Sequence, residues 1–214
     1  MVAAKICGLK TAETVDAAIA GGAFMIGFNF FARSPRSLSP ALAGELGQRV
    51  PPTIARVGLV VDAGDDEIAA ILAEATLDLL QLHGHETPDR VAAVKARFGL
   101  PVMKVVSVAE VGDVAAARAY EDVADRLLFD TKPPKSLANA LPGGNAISFD
   151  WGLLKGAAFR LPWMLAGGLH AGNLAEAVQA TGARAVDTSS GVEDRPGEKN
   201  VNKIKEFLAV AHSL

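Results

Sequence analysis

Short apolar and β-branched runs recur along the chain at Ala4–Cys7, Met25–Phe30, Arg56–Val61, Leu79–His83, Val102–Val108, Leu127–Thr131, Met164–Gly167 and Ala185–Thr188. They lack the strict alternation of a half-exposed sheet and read as strands buried on both faces. Between them the spacing predicts helices near Ala12–Ala20, Pro40–Arg49, Asp65–Ala75, Pro88–Arg97, Val111–Tyr120, Asp150–Ala158, Ala171–Thr181 and Val201–His212. Thr11, Ser39-Pro40 and Thr87-Pro88 stand where helix N-caps belong, two of them with proline in the first turn. Gly21-Gly22, Gly99 and Gly182 follow helix ends, where a left-handed residue is often needed.

Eight strand–helix repeats in strict alternation imply a parallel sheet with right-handed crossovers. Eight is the count of a closed (β/α)₈ TIM barrel, here expected as a single α/β domain over residues 1–214. An open doubly wound sheet is the structural alternative. It would usually carry a Gly-rich dinucleotide turn after its first strand, where this chain has only Gly8.

Bulk properties narrow the function classes. The chain has 214 residues, half of them hydrophobic, and a formal charge of −3, enough length to bury a full core. Charges are interspersed, so there is no basic footprint for nucleic acid. No apolar run approaches the ~20 residues that cross a bilayer. The N-terminus shows no apolar signal-peptide core. One cysteine, Cys7, excludes an internal disulfide and a Cys-based zinc cluster, and it suits a reducing, cytoplasmic setting. Four histidines without a carboxylate at ligand spacing do not make a metal site, so neither metal nor cofactor is expected.

Active sites of such barrels form at the C-terminal ends of the strands. In chain order those positions hold Cys7, Asn29, Asp62, His83, Ser107, Asp130, Gly167-Gly168 and Ser189-Ser190-Gly191. By strand alternation Lys5 shares a face with Cys7, and Gln81 with His83. Taken singly, these residues have ordinary explanations. An unpaired Cys7 is most often a small buried hydrophobe, and Asp130 a turn or cap residue. Gly167-Gly168 and Asp187-Thr188-Ser189-Ser190-Gly191 each read as a tight turn when taken alone. Together, at the ends of strands seven and eight, they favour a phosphate site, because small residues let backbone N–H groups approach an anion.

Lys5-Ile6-Cys7-Gly8, Gly27-Phe28-Asn29-Phe30, Ser34-Pro35-Arg36, Gln81-Leu82-His83-Gly84, Asp130-Thr131-Lys132, Phe149-Asp150-Trp151, Ala166-Gly167-Gly168-Leu169 and Asp187 through Glu193 occur in this order. The set resembles the phosphoribosylanthranilate isomerase family of tryptophan biosynthesis, from residue 3 to the C-terminus. One departure is Ala146, where the family's Gly-rich stretch before Phe-Asp-Trp has another glycine.

The resemblance implies a cofactor-independent Amadori rearrangement of an aminoaldose to an aminoketose. It implies Cys7 as general base, Asp130 as general acid and Arg36 as partner of the anthranilate carboxylate, to which a guanidinium is well matched. A base at neutral pH benefits from nearby positive charge, which Lys5 is placed to supply. Asp130 must hold a proton near neutrality, and Asp187 is a candidate like-charged neighbour. His83 reads as a hydrogen-bonded polar residue of the inner ring and a substrate contact. His85 and Arg33 read as solvated loop residues, and Trp151 and Trp163 as packing.

Two alternatives stand beside this reading. One is another phosphate-binding barrel enzyme. An epimerase would need metal-binding His and Asp, whereas an indole-glycerol-phosphate synthase would need Lys and Glu on other strands, with Lys104 as a candidate. The other is a non-catalytic sugar-phosphate binder. The expected partner is a small phosphorylated substrate, and the assembly a monomer or a homodimer.

Overall fold

The computed structural model describes residues 1–133, 141–145 and 148–214. The Ala146 departure lies outside the described residues. Eight parallel strands close in sequence order into one barrel: β1 (Ala3–Cys7), β2 (Met25–Asn29), β3 (Ala55–Val60), β4 (Leu79–Leu82), β5 (Val102–Val108), β6 (Arg126–Thr131), β7 (Trp163–Leu165) and β8 (Ala185–Thr188). The seam between β1 and β8 sets Lys5 beside Asp187 and Ile6 beside Thr188.

Alternation along the strands separates two cores. Met25, Val57, Leu79, Met103, Leu128 and Met164 fill the barrel. Ile26, Leu80, Val102, Leu127 and Leu165 face outward and pack beneath the surrounding helices. The helices are α1 (Ala12–Ala20), α2 (Pro40–Gly47), α3 (Asp65–Glu74), α4 (Pro88–Phe98), α5 (Val111–Ala116), α6 (Leu174–Thr181) and α7 (Val201–Ser213). The expected caps form: Thr11, Ser39 and Thr87 each accept a backbone N–H from three residues on. Gly99 and Gly182 are left-handed at the ends of α4 and α6.

Four elements differ from the sequence expectation. The helix expected over Val111–Tyr120 is α-helical only to Ala116 and continues as a 3₁₀ turn over Ala117–Tyr120. The helix expected over Asp150–Ala158 is a single 3₁₀ turn, Trp151–Leu154. Asp150 caps it by accepting from Gly152, but Lys155 is already extended and Gly156 is left-handed at φ +72°, so the turn cannot propagate. The helix expected from Ala171 starts at Leu174, because Asn173 Oδ1 and His170 Nδ1 hold residues 170–173 in a tight turn. After β8 a small hairpin appears, β9 (Glu193–Arg195) with β10 (Glu198–Lys199), which the apolar periodicity does not mark. Among the described residues, no helix is long and apolar enough to cross a membrane.

Candidate active site

Cys7 ends β1 and points into the barrel mouth beside Lys5. Gly27 on β2 makes room for both. A Cβ there would sit 2.9 Å from the Cys7 sulfur and 3.2 Å from Lys5 Nζ. Lys5 is fully buried and donates to Asp187 Oδ1 at 2.8 Å. Burial opposes its charge, but Asp187, helped by Cys7, outweighs that and holds its pKa above the ordinary range. For Cys7 the balance falls the other way. Burial pushes the thiol up, and although Lys5 and Lys199 draw it down, Asp187 works against them. The expectation that Lys5 lowers the thiol pKa is therefore corrected: its pull is present, but desolvation prevails.

Asp130 lies near the end of β6, where its Oδ1 accepts from the Thr131 N–H at 2.7 Å. The neighbour of Oδ2 is His83 Nε2 at 3.3 Å, placed off hydrogen-bond alignment. His83 Nδ1 lies 3.4 Å from Gln81 Nε2. Gln81 Oε1 and His83 Nε2 are buried polar atoms that have no hydrogen-bond partner among the described residues. Such atoms in a cavity are what a polar ligand would satisfy. Asp187 is engaged by Lys5 across the barrel seam, so the like-charge neighbour expected for Asp130 is replaced by an imidazole.

Arg36 sits in the loop after β2. Ser34 Oγ shapes that loop by accepting from the Arg36 N–H and from Asn29 Nδ2. Its guanidinium is buried and forked onto Glu193, with Nε and Nη2 each 2.8 Å from a carboxylate oxygen. Nη2 also donates to the Gly144 carbonyl at 3.1 Å. Gly143 and Gly144 lie directly over these groups. A Cβ on Gly143 would fall 2.5 Å from Asp130 Oδ2, and one on Gly144 2.3 Å from Arg36 Nη1.

Cys7, Arg36, His83, Asp130, Asp187 and Ser189 line one half-open cavity at the C-terminal rim. Gly167, Gly168, Ser190 and Gly191 are not among its lining residues. Gly168 lines a smaller cleft beside Asp130 and Asn145. Gly167 and Gly168 are both left-handed, at φ +88° and +64°. Gly191 is pressed against the Leu169 backbone, where a Cβ would come within 1.9 Å of the carbonyl oxygen. Thr188 Oγ1 donates to that same oxygen at 2.7 Å, so the loops after β7 and β8 are stitched together.

Other candidates fall outside the cavity. Lys104 has the outward parity of β5 and pairs with Glu86 at 2.7 Å, whereas a synthase lysine would have to face the barrel interior. His85 is exposed beside Asp62, and Arg33 is exposed over the Phe31 ring. Trp163 packs edge-on against Phe129.

The family model for N-(5′-phosphoribosyl)anthranilate (PRA) isomerase matches residues 4–210. The chain belongs to that family. The N-(5′-phosphoribosyl)anthranilate isomerase of Rhodospirillum centenum is 55% identical over 213 residues, covering 100% of this chain and 99% of the relative. The phosphoribosyl anthranilate isomerase structure from Thermotoga maritima superposes with a TM-score of 0.88 at 33% identity, covering 100% of both chains. A phosphoribosyl anthranilate isomerase solved with reduced 1-(o-carboxyphenylamino)-1-deoxyribulose 5-phosphate gives a TM-score of 0.85 at 32% identity, again over 100% of both chains.

Within this PRA isomerase barrel, sequence reasoning missed the partners of Arg36. Glu193 appeared only as the end of a motif, and Lys199 not at all. Their signal was local: Arg195-Pro196-Gly197-Glu198 carries the Pro-Gly pair of a tight turn.

Proposed function

We propose that this PRA isomerase converts N-(5′-phosphoribosyl)anthranilate to 1-(2-carboxyphenylamino)-1-deoxyribulose 5-phosphate, in tryptophan biosynthesis, with Cys7 and Asp130 as base and acid. Protonation of the furanose ring oxygen by Asp130 breaks the C1′–O bond and gives a Schiff base. The Cys7 thiolate takes the proton from C2′, and the electron pair moves to form an enolamine. The enolamine then tautomerises to the ketone. One proton leaves Asp130 and one arrives at Cys7, and exchange with solvent restores both. Acid and base must address the sugar from different sides. β1 and β6 are far apart around the barrel, as that requires.

In this reading Arg36 receives the anthranilate carboxylate. Gly167, Gly168, Ser189, Ser190 and Gly191 cradle the phosphate, and His83 and Asp187 contact the substrate. No cofactor takes part. Residues 1–214 act as one domain in the cytoplasm, as a monomer or homodimer. The observation that carries the reading is the meeting of Cys7, Arg36 and Asp130, from three separate elements, in one cavity.

The test is to mix the purified chain with phosphoribosylanthranilate, follow its fluorescence loss and identify the product by NMR. The aminoketose is expected. Tight binding without turnover would instead support a non-catalytic sugar-phosphate binder.

A further inference from the structure

We propose that Glu193 and Lys199, on the hairpin after β8, are positioning residues that hold Arg36 as a pre-oriented carboxylate receptor. The inference rests on the reading of Arg36 given above. A free arginine side chain samples many rotamers, and fixing it in advance removes that cost from substrate binding. Here Glu193 takes both Nε and Nη2 at 2.8 Å, and Gly144 accepts from Nη2 as well. Nη1 is left with no acceptor among the described residues.

Glu193 is itself held from behind. Lys199 Nζ donates to its Oε1 at 2.6 Å, and to Ser189 O and Oγ at 2.9 and 3.0 Å. The Lys199 and Glu193 side chains are only 2% and 3% exposed. A buried Arg–Glu pair alone is neutral and has little pull on an anion. With Lys199 the cluster carries two cations and one anion, one negative charge short of balance. Buried charge calls for a partner, and one substrate carboxylate supplies it. Ser189 Oγ also donates to the Cys7 carbonyl at 3.1 Å, tying the cluster to the end of β1.

The hairpin is built to dock here. Its turn residue Gly197 is left-handed at φ +85°, and a Cβ would fall 2.5 Å from the Pro35 carbonyl oxygen. The turn therefore rests on the residue next to Arg36. The charged or titratable groups facing Lys199 are Glu193 from its own hairpin, Arg36 from the loop after β2 and Cys7 from β1. Burial lowers the Lys199 pKa to about 8, with Glu193 resisting and Arg36 adding to the fall. Above that pH the cluster loses its excess positive charge.

The experiment compares Glu193→Gln, Lys199→Arg and Arg36→Met with the parent enzyme. Glu193→Gln is expected to raise KM for phosphoribosylanthranilate about tenfold or more, the scale of a hydrogen bond to a charged group, with kcat little changed. Competitive inhibition by inorganic phosphate, which has no carboxylate, is expected to stay the same. In the parent enzyme KM rises as pH passes 8, whereas Lys199→Arg, whose guanidinium does not titrate there, keeps KM flat and does not depend on the Gln variant folding. An unchanged KM in Glu193→Gln, an equal loss of phosphate inhibition, or a KM rise that persists in Lys199→Arg would overturn the proposal. If Arg36→Met also leaves KM unchanged, the fault lies in the assignment of Arg36 rather than in its positioning.

Discussion

The Lys5 ammonium sits 2.8 Å from Asp187 Oδ1, across the seam where β1 and β8 close the barrel. Lys5 is fully buried and Asp187 meets solvent only through the rim cavity, so the ammonium depends on this one carboxylate. Removing one partner of a buried pair strands a charge and typically costs about 3–5 kcal/mol. Lys5→Met is expected to lose stability on that scale in urea titration, and the double variant Lys5→Met/Asp187→Asn distinctly less. A loss below about 1 kcal/mol for Lys5→Met, the range of a surface pair, would show that the pair does not hold the seam.

The thiol follows from the same burial. Cys7 is the only cysteine, so ultraviolet absorbance of the thiolate reports this residue alone. Burial raises its pKa, hence the thiolate is expected to appear above the ~8.5 of a free thiol. The sign for stability follows. The unfolded chain ionises its thiol first, so the contribution of the neutral thiol is present below about pH 8.5 and fades as pH rises toward the folded value. Cys7→Ala is expected to lack that slope. A folded thiol titrating below 8 would contradict the account.

Gly143 lies where a side chain cannot. Its missing Cβ would meet Asp130 Oδ2 at 2.5 Å and His83 Cε1 at 2.6 Å. Gly143→Ala is expected to lower kcat/KM about 10²-fold, the scale of misplacing a catalytic group, while urea stability changes little because the residue sits outside the core. Full activity would show that this segment does not need to approach the acid.

Lys104 is a buried cation that the reaction leaves unused. It bridges Glu86 at 2.7 Å and the Gly84 carbonyl at 2.7 Å, and Glu86 in turn accepts from the Asp62 and Gly84 N–H groups. The cluster fixes the turn that follows His83. Lys104→Met is expected to cost about 3–5 kcal/mol in stability, with kcat of the folded fraction within about threefold. A selective loss of kcat would return Lys104 to the list of reactive residues.

The sequence carried the barrel because strand repeats, caps and end glycines are local signals that agree with one another. It failed at Asp150–Ala158, where extended Lys155 and left-handed Gly156 cut a plausible helix to one turn. It named the rim residues because strand order fixes which positions reach the rim. It did not reveal who partners whom. The Lys5–Asp187, His83–Asp130 and Arg36–Glu193 contacts span 182, 47 and 157 positions, and nothing in local spacing encodes them. The direction of the Cys7 shift was hidden for a related reason. Strand alternation puts Lys5 nearby, but only the packed barrel shows that desolvation outweighs it.

The central claim is that Cys7 and Asp130 act as a base and acid pair on one sugar. The most direct measurement is steady-state turnover of phosphoribosylanthranilate by Cys7→Ala and Asp130→Asn, each first shown to retain the parent's circular dichroism and urea midpoint. Removal of one acid–base group is expected to reduce kcat by about 10²–10⁴-fold. Near-normal kcat in either folded variant would contradict the pairing.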